Sequence, residues 1–300
     1  MTQLAHQPVV LELSRGQALA SRLHDYAEMT KLRITLMVVI TAYVGFALAG
    51  GGDAVTLLAT LLGTALSCMG ASALNQVYER DTDALMRRTR TRPMPTGRVG
   101  VGEGVGLGVG LAAGGVALLA VLTTPLAALL AAATVVLYVL VYTPLKRVTT
   151  LNTLVGAAPG AAPPLIGCAA ASGAIDLPAL VVFAIMFVWQ LPHFLAIAWL
   201  YRDQYADAGL RMLPAVEPDG RSTFRQVLAG CLALLPLGLL PTAIGASGGV
   251  YFAVALLAGL GFGACGVWLV VRRGRTQARL LFFASLVYLP AVLTVMMIDR

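Results

Sequence analysis

Residues 54–98 read AVTLLATLLGTALSCMGASALNQVYERDTDALMRRTRTRPMPTGR. From Ala54 to Val77 the run carries no charged residue, and a bilayer is crossed by roughly 20 consecutive apolar residues. The run then passes without a break into acids and arginines, so the helix is expected to continue to about Met86. Asn75, Glu79 and Asp83 fall at i, i+4 and i+8, which places them within about 80° of one another on a regular helix. Asp81 points elsewhere. Arg87, Arg88, Arg90 and Arg92 follow, and then Pro93 and Pro95, which end any helix.

The rest of the chain repeats the first part of this pattern. Of 300 residues, 58% are hydrophobic and 12% charged, against about 25% charged in a soluble domain. The mean hydropathy is +0.83. So much apolar surface cannot be hidden in one soluble core, and lipid must be the solvent. Apolar stretches fall at Arg33–Gly51, Ala54–Val77, Val105–Thr123, Leu126–Tyr142, Leu154–Ala171, Leu177–Trp199, Val227–Ile244, Tyr251–Val271 and Leu280–Ile298. Barrel strands would alternate polar and apolar over about ten residues, whereas these runs are apolar throughout. The expected fold class is all-α, a polytopic membrane helical bundle of about nine transmembrane helices. It forms a single domain over 1–300, with 1–29 as a cytoplasmic N-terminal segment.

Charge gives the orientation. With the N-terminus inside, the inner segments are 1–32, 78–104, 143–153, 200–226 and 272–279. Counting Arg33 at the first boundary, they hold 20 of the 21 Lys and Arg residues, and only Arg300 falls outside. Basic residues stay on the cytoplasmic side of short loops, so this distribution supports nine spans with the C-terminus outside. It also accounts for the pI of about 9.5 without nucleic acid, since a basic inner rim faces anionic lipid or an anionic substrate. The first 30 residues have no apolar core, so no cleavable signal peptide is expected, and a prokaryotic plasma membrane fits. Cys68, Cys168, Cys231 and Cys265 stand singly in apolar runs and read as packing residues.

The outer loops hold little acid beyond Asp53 and Asp176, whereas the inner loops hold Glu79, Asp81, Asp83, Asp203, Asp207, Glu217 and Asp219. Positive-inside sorting does not require carboxylates there. Two carboxylates and an amide oxygen on one helix face offer the hard ligands Mg²⁺ prefers, with water and substrate phosphates completing its shell. The neighbouring arginines suit phosphate oxygens. The bland alternative is a solvated loop whose acids pair with its arginines. A second inner stretch, 189–214, reads WQLPHFLAIAWLYRDQYADAGLRMLP. His193 follows Pro192 near the inner end of a span and offers an imidazole for proton transfer or iron ligation, or for a hydrogen bond to a neighbouring helix. Asp203 and Asp207 are again i, i+4. Two similarly placed acidic elements, four spans apart, suggest a pseudo-repeat of four-helix units with one extra helix. Lys31 and Lys146, the only lysines in the chain, sit at inner ends of spans. Snorkelling explains either one, and phosphate binding explains them if the acids hold a diphosphate.

The Asn75–Asp83 stretch resembles the acidic signature N-D-x-x-D-x-x-x-D of the UbiA-type intramembrane prenyltransferase superfamily, with Gln76 at its first Asp and Glu79 at its second. ALMRRTRTRP, Thr30–Arg33, YTPLKR at Tyr142–Arg147, LNTLVGAAPGAAPPLIG at Leu151–Gly167 and QLPHFLAIAW are similar to the heme O synthase (protoheme IX farnesyltransferase) branch. So are Tyr205, Ala208–Gly209 and Met212–Pro214. The likeness covers roughly 28–225, and the last three spans agree by topology. Leu32 replaces a usual Pro, and Gln204 stands where many relatives carry Asp, so Asp203 is expected to compensate as ligand.

The resemblance implies a central, lipid-open cavity and transfer of a farnesyl group from farnesyl diphosphate to the vinyl group of heme b. Mg²⁺ would be held by Asn75, Glu79, Asp83 and Asp203. Lys31, Arg33, Arg87, Arg88, Lys146 and Arg147 would share the diphosphate charge. Asp207, Gln204 and Tyr205 would complete a second acidic site, and His193 would ligate the iron or orient the porphyrin. Association with a downstream heme-processing enzyme is a further implication. Two other readings stay open. One is a prenyltransferase of 4-hydroxybenzoate or a quinone precursor, against which the QLPHF segment speaks. The other is a transporter, which would spread charges through the membrane depth.

Overall fold

The computed structural model describes residues 15–300, and residues 1–14 of the expected N-terminal segment lie outside the described residues. The helices are α1 (Arg15–Thr30), α2 (Leu32–Leu48), α3 (Ala54–Leu85), α4 (Val101–Leu122), α5 (Pro125–Val136), α6 (Thr143–Val148), α7 (Asn152–Ala161), α8 (Pro163–Ser172), α9 (Leu177–Leu200), α10 (Arg202–Asp207), α11 (Leu213–Val216), α12 (Arg221–Ala243), α13 (Gly249–Arg272) and α14 (Arg275–Ile298). Among the described residues eight helical units are long and apolar enough to cross a membrane. Leu19–Thr30 and Leu32–Leu48, bent by 50° at Lys31, make a ninth if taken together. The nine expected stretches each match one of these, and α3 runs on to Leu85 as its sequence required.

Three of the spans are interrupted, each for a chemical reason. At Lys31 the backbone turns left-handed (φ 51°, ψ 54°), a conformation that costs a non-glycine residue roughly 1–2 kcal/mol. Between α5 and α6 the chain widens into a π-helix over Leu137–Tyr142. Pro144, in the first turn of α6, has no N–H to continue the α ladder, and the Thr143 hydroxyl donates to the Tyr138 carbonyl at 2.8 Å. Between α7 and α8 the Pro163–Pro164 pair opens a new helix, so two ten-residue pieces share one crossing.

Packing divides the bundle into two groups of four, α2–α5 and α9 with α12–α14, with the broken α7–α8 span touching both. Small residues bring the N-terminal group together. A Cβ on Gly167 would lie 1.9 Å from the Ala42 carbonyl oxygen, and one on Gly45 1.9 Å from that of Pro164, so α2 and α8 pack backbone to backbone. The glycine-rich span α4 packs the same way, its buried Gly104, Gly108, Ala112 and Gly115 facing α3. Tyr251, Phe262, Leu281, Tyr288 and Val292 fill the C-terminal group. The acids at the opposite end from the arginine-rich loops are helix caps. Asp53 accepts from Thr56 N at 2.7 Å, Asp176 from Ala179 N at 2.8 Å, and Asp299 from Tyr251 N at 2.6 Å. The Thr56 N–H holds the Asp53 carboxyl below its ordinary pKa, as expected for an anion at a helix N-terminus.

Candidate active site

The inner end of α3 carries the three residues that periodicity placed on one face. Asn75 and Asp83 are 1% exposed and Glu79 is 9% exposed, a burial that charged groups tolerate only when paired. Each meets a cation from another segment. Lys31 Nζ donates to Asn75 Oδ1 at 3.0 Å, Lys146 Nζ to Glu79 Oε1 at 2.7 Å, and Arg92 Nη1 to Asp83 Oδ2 at 2.7 Å. Asn75 Nδ2 donates to Thr143 Oγ1 at 3.1 Å, which turns the amide oxygen toward Lys31. The left-handed bend at Lys31 and the turn around Pro144 therefore both serve this cluster. Lys146 also lies 4.5 Å from the centroid of the Tyr142 ring, a favourable placement for a cation.

Gln76, which stands at an acidic position of the resembling signature, faces the other way. Its Nε2 donates to the carbonyls of Glu28 and Met29 at 3.0 and 3.2 Å, fastening the end of α1 to α3. The long side chain reaches a neighbouring backbone and leaves the anionic work to Glu79 and Asp83.

Among the described residues no three His, Cys, Asp or Glu side chains converge as a closed metal cage. The donor set nonetheless fits Mg²⁺. Asn75, Glu79 and Asp83 offer only hard oxygens, and Glu79 Oε2 and Asp83 Oδ1 make no hydrogen bond among the described residues. An incomplete oxygen set suits a cation that finishes its octahedron with water and substrate phosphates.

The acidic pair of the second stretch lies at the surface. α10 is a six-residue helix with no buried residue. Asp203 is 73% exposed, 3.6 Å from Arg202, and Asp207 is exposed as well. Among the described residues no hydrogen bond or ion pair joins either carboxylate to the α3 cluster. The physical reason lies in the residues between them. Gln204 Oε1 accepts from Arg88 N at 3.3 Å and the Tyr205 hydroxyl from Arg88 Nη2 at 3.4 Å. Those contacts turn Gln204 and Tyr205 inward and the two aspartates to the surface. The two inner loops are thus joined through Arg88, and the Arg211 N–H donates to the Lys146 carbonyl at 2.7 Å. Arg33, Arg87 and Arg147 are exposed and make no ion pair among the described residues.

Beside Lys31 a cavity of about 440 Å³ lies between the two helix groups. Lys31 and Arg33 line one part of it, and Tyr138, Trp189, His193 and Phe194 are among the residues of its wall. His193 is buried. Its Nδ1 lies 2.6 Å from Ser285 Oγ, and its ring stacks on Trp189 with centroids 4.9 Å apart. Arg92, Thr143, Trp189 and Ser285 belong to this architecture; the sequence pointed to Arg92 only as one of several arginines suited to phosphate, and to no role for the other three. Arg92 and Thr143 lay in quoted motifs. Ser285 had no local signal.

Comparison with known proteins agrees with this geometry. The model of the UbiA prenyltransferase family matches residues 38–287. The chain is 43% identical over 297 residues to the protoheme IX farnesyltransferase of Koribacter versatilis, covering 94% of each chain. It is 43% identical over 289 residues to that of Solibacter usitatus, covering 93% of this chain and 99% of the relative. In fold it is similar to a UbiA homologue from Archaeoglobus fulgidus bound to DMAPP and Mg²⁺, with a TM-score of 0.69, 15% identity, and coverage of 91% and 99% of the two chains. On the strength of the family match, the near full-length relatives and a bundle of eight or nine spans among the described residues with a buried acidic face, the chain belongs to the UbiA prenyltransferase family.

Proposed function

We propose that the whole chain, 1–300, is one catalytic domain that transfers a farnesyl group from farnesyl diphosphate to a vinyl group of heme b, giving heme O. The observation that carries this reading is that Lys31, which donates to Asn75 of the buried Asn75–Glu79–Asp83 face, also lines an apolar, aromatic cavity walled by His193. One end suits a diphosphate and the other a prenyl chain beside a porphyrin. The names of the relatives support the choice of acceptor.

Asn75, Glu79 and Asp83 would hold Mg²⁺, which when bound supplies Lewis-acid polarisation of diphosphate oxygens. The chain's own cations do the rest of the electrostatic work. Lys31, Lys146 and Arg92 already lie against the three oxygen ligands, so negative charge released with the diphosphate meets fixed partners that need little reorganisation. Arg33, Arg87 and Arg147 are free to approach the outer phosphate, and Arg88 ties the two loops that frame it. The bond between the farnesyl C1 and the diphosphate oxygen breaks with its electron pair leaving on oxygen. The vinyl π pair of heme forms the new C–C bond to C1. Water then adds to the resulting porphyrin-side cation and gives up a proton, leaving a hydroxyethylfarnesyl group. The apolar wall delays water until the C–C bond exists.

The inner rim is assigned to the cytoplasmic face of a prokaryotic plasma membrane, with the C-terminus outside, and a heme-processing enzyme is the natural recipient of the product. Purified protein in lipid, given heme b, farnesyl diphosphate and Mg²⁺, should yield a heme heavier by one farnesyl group plus one hydroxyl, and EDTA should abolish it. Prenylation of 4-hydroxybenzoate in place of heme would transfer the function to the aromatic acceptors.

A further inference from the structure

His193 has two ring nitrogens with unequal surroundings. Nδ1 is 2.6 Å from Ser285 Oγ, and Ser285 Oγ is 2.5 Å from the Phe282 carbonyl oxygen. A serine hydroxyl has one proton and two lone pairs. A carbonyl oxygen only accepts, so the single proton of Ser285 is committed to Phe282. The Ser285 oxygen must then accept, and the proton between the two side chains belongs to His193 Nδ1. In a neutral imidazole the second nitrogen is then unprotonated. Nε2 makes no hydrogen bond among the described residues, and the ring lines the cavity.

The ring is also fixed in angle. Trp189 stacks on it at 4.9 Å and 23°, and Phe282 packs at 5.2 Å. Trp189 Nε1 donates to the Ser285 carbonyl at 3.0 Å, so one residue of α14 orients both the imidazole and the indole beside it. Buried serine is usually a packing residue. Here its hydroxyl and its carbonyl both hold rings on the opposite helix.

Resting on the heme reading above, we propose that Ser285 is a positioning residue that holds His193 in its Nδ1–H form, so that the Nε2 lone pair faces the cavity and ligates the iron of the heme substrate. A metal-ligating histidine commonly donates its other ring N–H to an oxygen in this way, and loss of that partner lowers metal affinity about 10–100-fold. Ligation from α9 would anchor the porphyrin beside the diphosphate cluster while leaving its vinyl edge to the reaction.

Two measurements test this. The chain has three histidines, so ¹⁵N-histidine labelling of the full protein in nanodiscs gives a spectrum in which His193→Ala identifies the His193 signals. Wild type should show protonated Nδ1 and unprotonated Nε2, and Ser285→Ala should lose that pure tautomer. A wild-type spectrum with protonated Nε2 overturns the proposal. Titration with ferric heme b and with metal-free protoporphyrin IX, followed by absorbance and EPR, supplies the second readout. Wild type should give a nitrogen-ligated iron signature that His193→Ala removes. Ser285→Ala should bind heme about tenfold more weakly and metal-free porphyrin as well as wild type does. Equal weakening for both porphyrins, or no change for either, overturns the proposal. Heme farnesylation without an imidazole signature in wild type overturns it while leaving the reaction standing. Absence of both heme uptake and heme product overturns the reaction assignment along with it.

Discussion

Replacing Asp83 by Asn separates a charge that does chemistry from one that only holds a loop. The substitution keeps the shape and removes the anion. Asp83 is 1% exposed, and its Oδ2 takes a 2.7 Å hydrogen bond from Arg92, whose side chain is 21% exposed. Breaking a fully buried pair costs about 3–5 kcal/mol. Arg92 still reaches water, and pairs at the surface are worth at most about 1 kcal/mol. The expected loss of stability is therefore intermediate, about 2 kcal/mol, because the guanidinium left behind can be rehydrated in part. The Asn oxygen also still accepts one hydrogen bond from Arg92. Turnover should fall much further, at least about 100-fold, the loss that follows removal of one preorganised electrostatic partner. Single-turnover formation of prenylated heme in nanodiscs reads the second quantity, and thermal unfolding of the same preparation reads the first. Turnover within a few-fold of wild type, with the stability loss present, would refute the reasoning: Asp83 would then be an anchor for the Arg92 turn and not part of the diphosphate site.

Lys146→Met leaves Glu79 buried without its cation and should destabilise the protein by about 3 kcal/mol. Adding Glu79→Gln should recover most of that in thermal unfolding while activity stays absent, and failure to recover it would show that the two side chains are not coupled. Gly167→Ala places a Cβ 1.9 Å from the Ala42 carbonyl oxygen, where no side chain can yield, so α2 and α8 must part at a cost of about 1–3 kcal/mol. Gly173→Ala makes a poor control because of its positive φ, and Gly110→Ala, with open space around it, should be near neutral in the same melt. Mg²⁺ should bind at least about tenfold more tightly when a non-reactive farnesyl diphosphate analogue is present than without it, as read by titration calorimetry. Equal affinity would refute the view that metal and diphosphate complete one another's site.

Different parts of this molecule were legible to different degrees. The spans could be read because lipid demands long apolar runs, and Ala54–Val77 satisfies that demand residue by residue. The Asn75, Glu79 and Asp83 face could be read because helical periodicity is local and α3 is long enough to hold it through Leu85. The same spacing says less at Asp203 and Asp207. On a six-residue helix, periodicity does not say which face is buried, and Gln204 and Tyr205 took the inner side through contacts with a loop 116 and 117 residues away. Glycine-rich Val105–Thr123 could be read as a span because its mean hydropathy is as high as that of any other, but its backbone-to-backbone packing on α3 through Gly108 and Gly115 could not. The His193–Ser285 pair, 92 residues apart, left no trace in either local sequence.

The charge of the cluster explains why its cations had to come from elsewhere in the chain. Lys31, Lys146 and Arg92 against Glu79 and Asp83 leave one positive charge over five groups. A magnesium ion alone would raise that to three in a buried setting, which desolvation opposes. A diphosphate ester alone, with three negative charges, would lower it to minus two. The two together add minus one and bring the cluster to neutrality. A site with the same acids and no lysines would favour the bare metal, and one with the lysines and no acids would favour the bare diphosphate. Neutrality of the filled site requires both sets at once. One helix cannot supply both in alternation without pairing them off along its own face. Distributing the acids on α3 and the cations on the α1–α2 bend, the loop after α3 and α6 keeps them apart in sequence and brings them together only when the bundle closes.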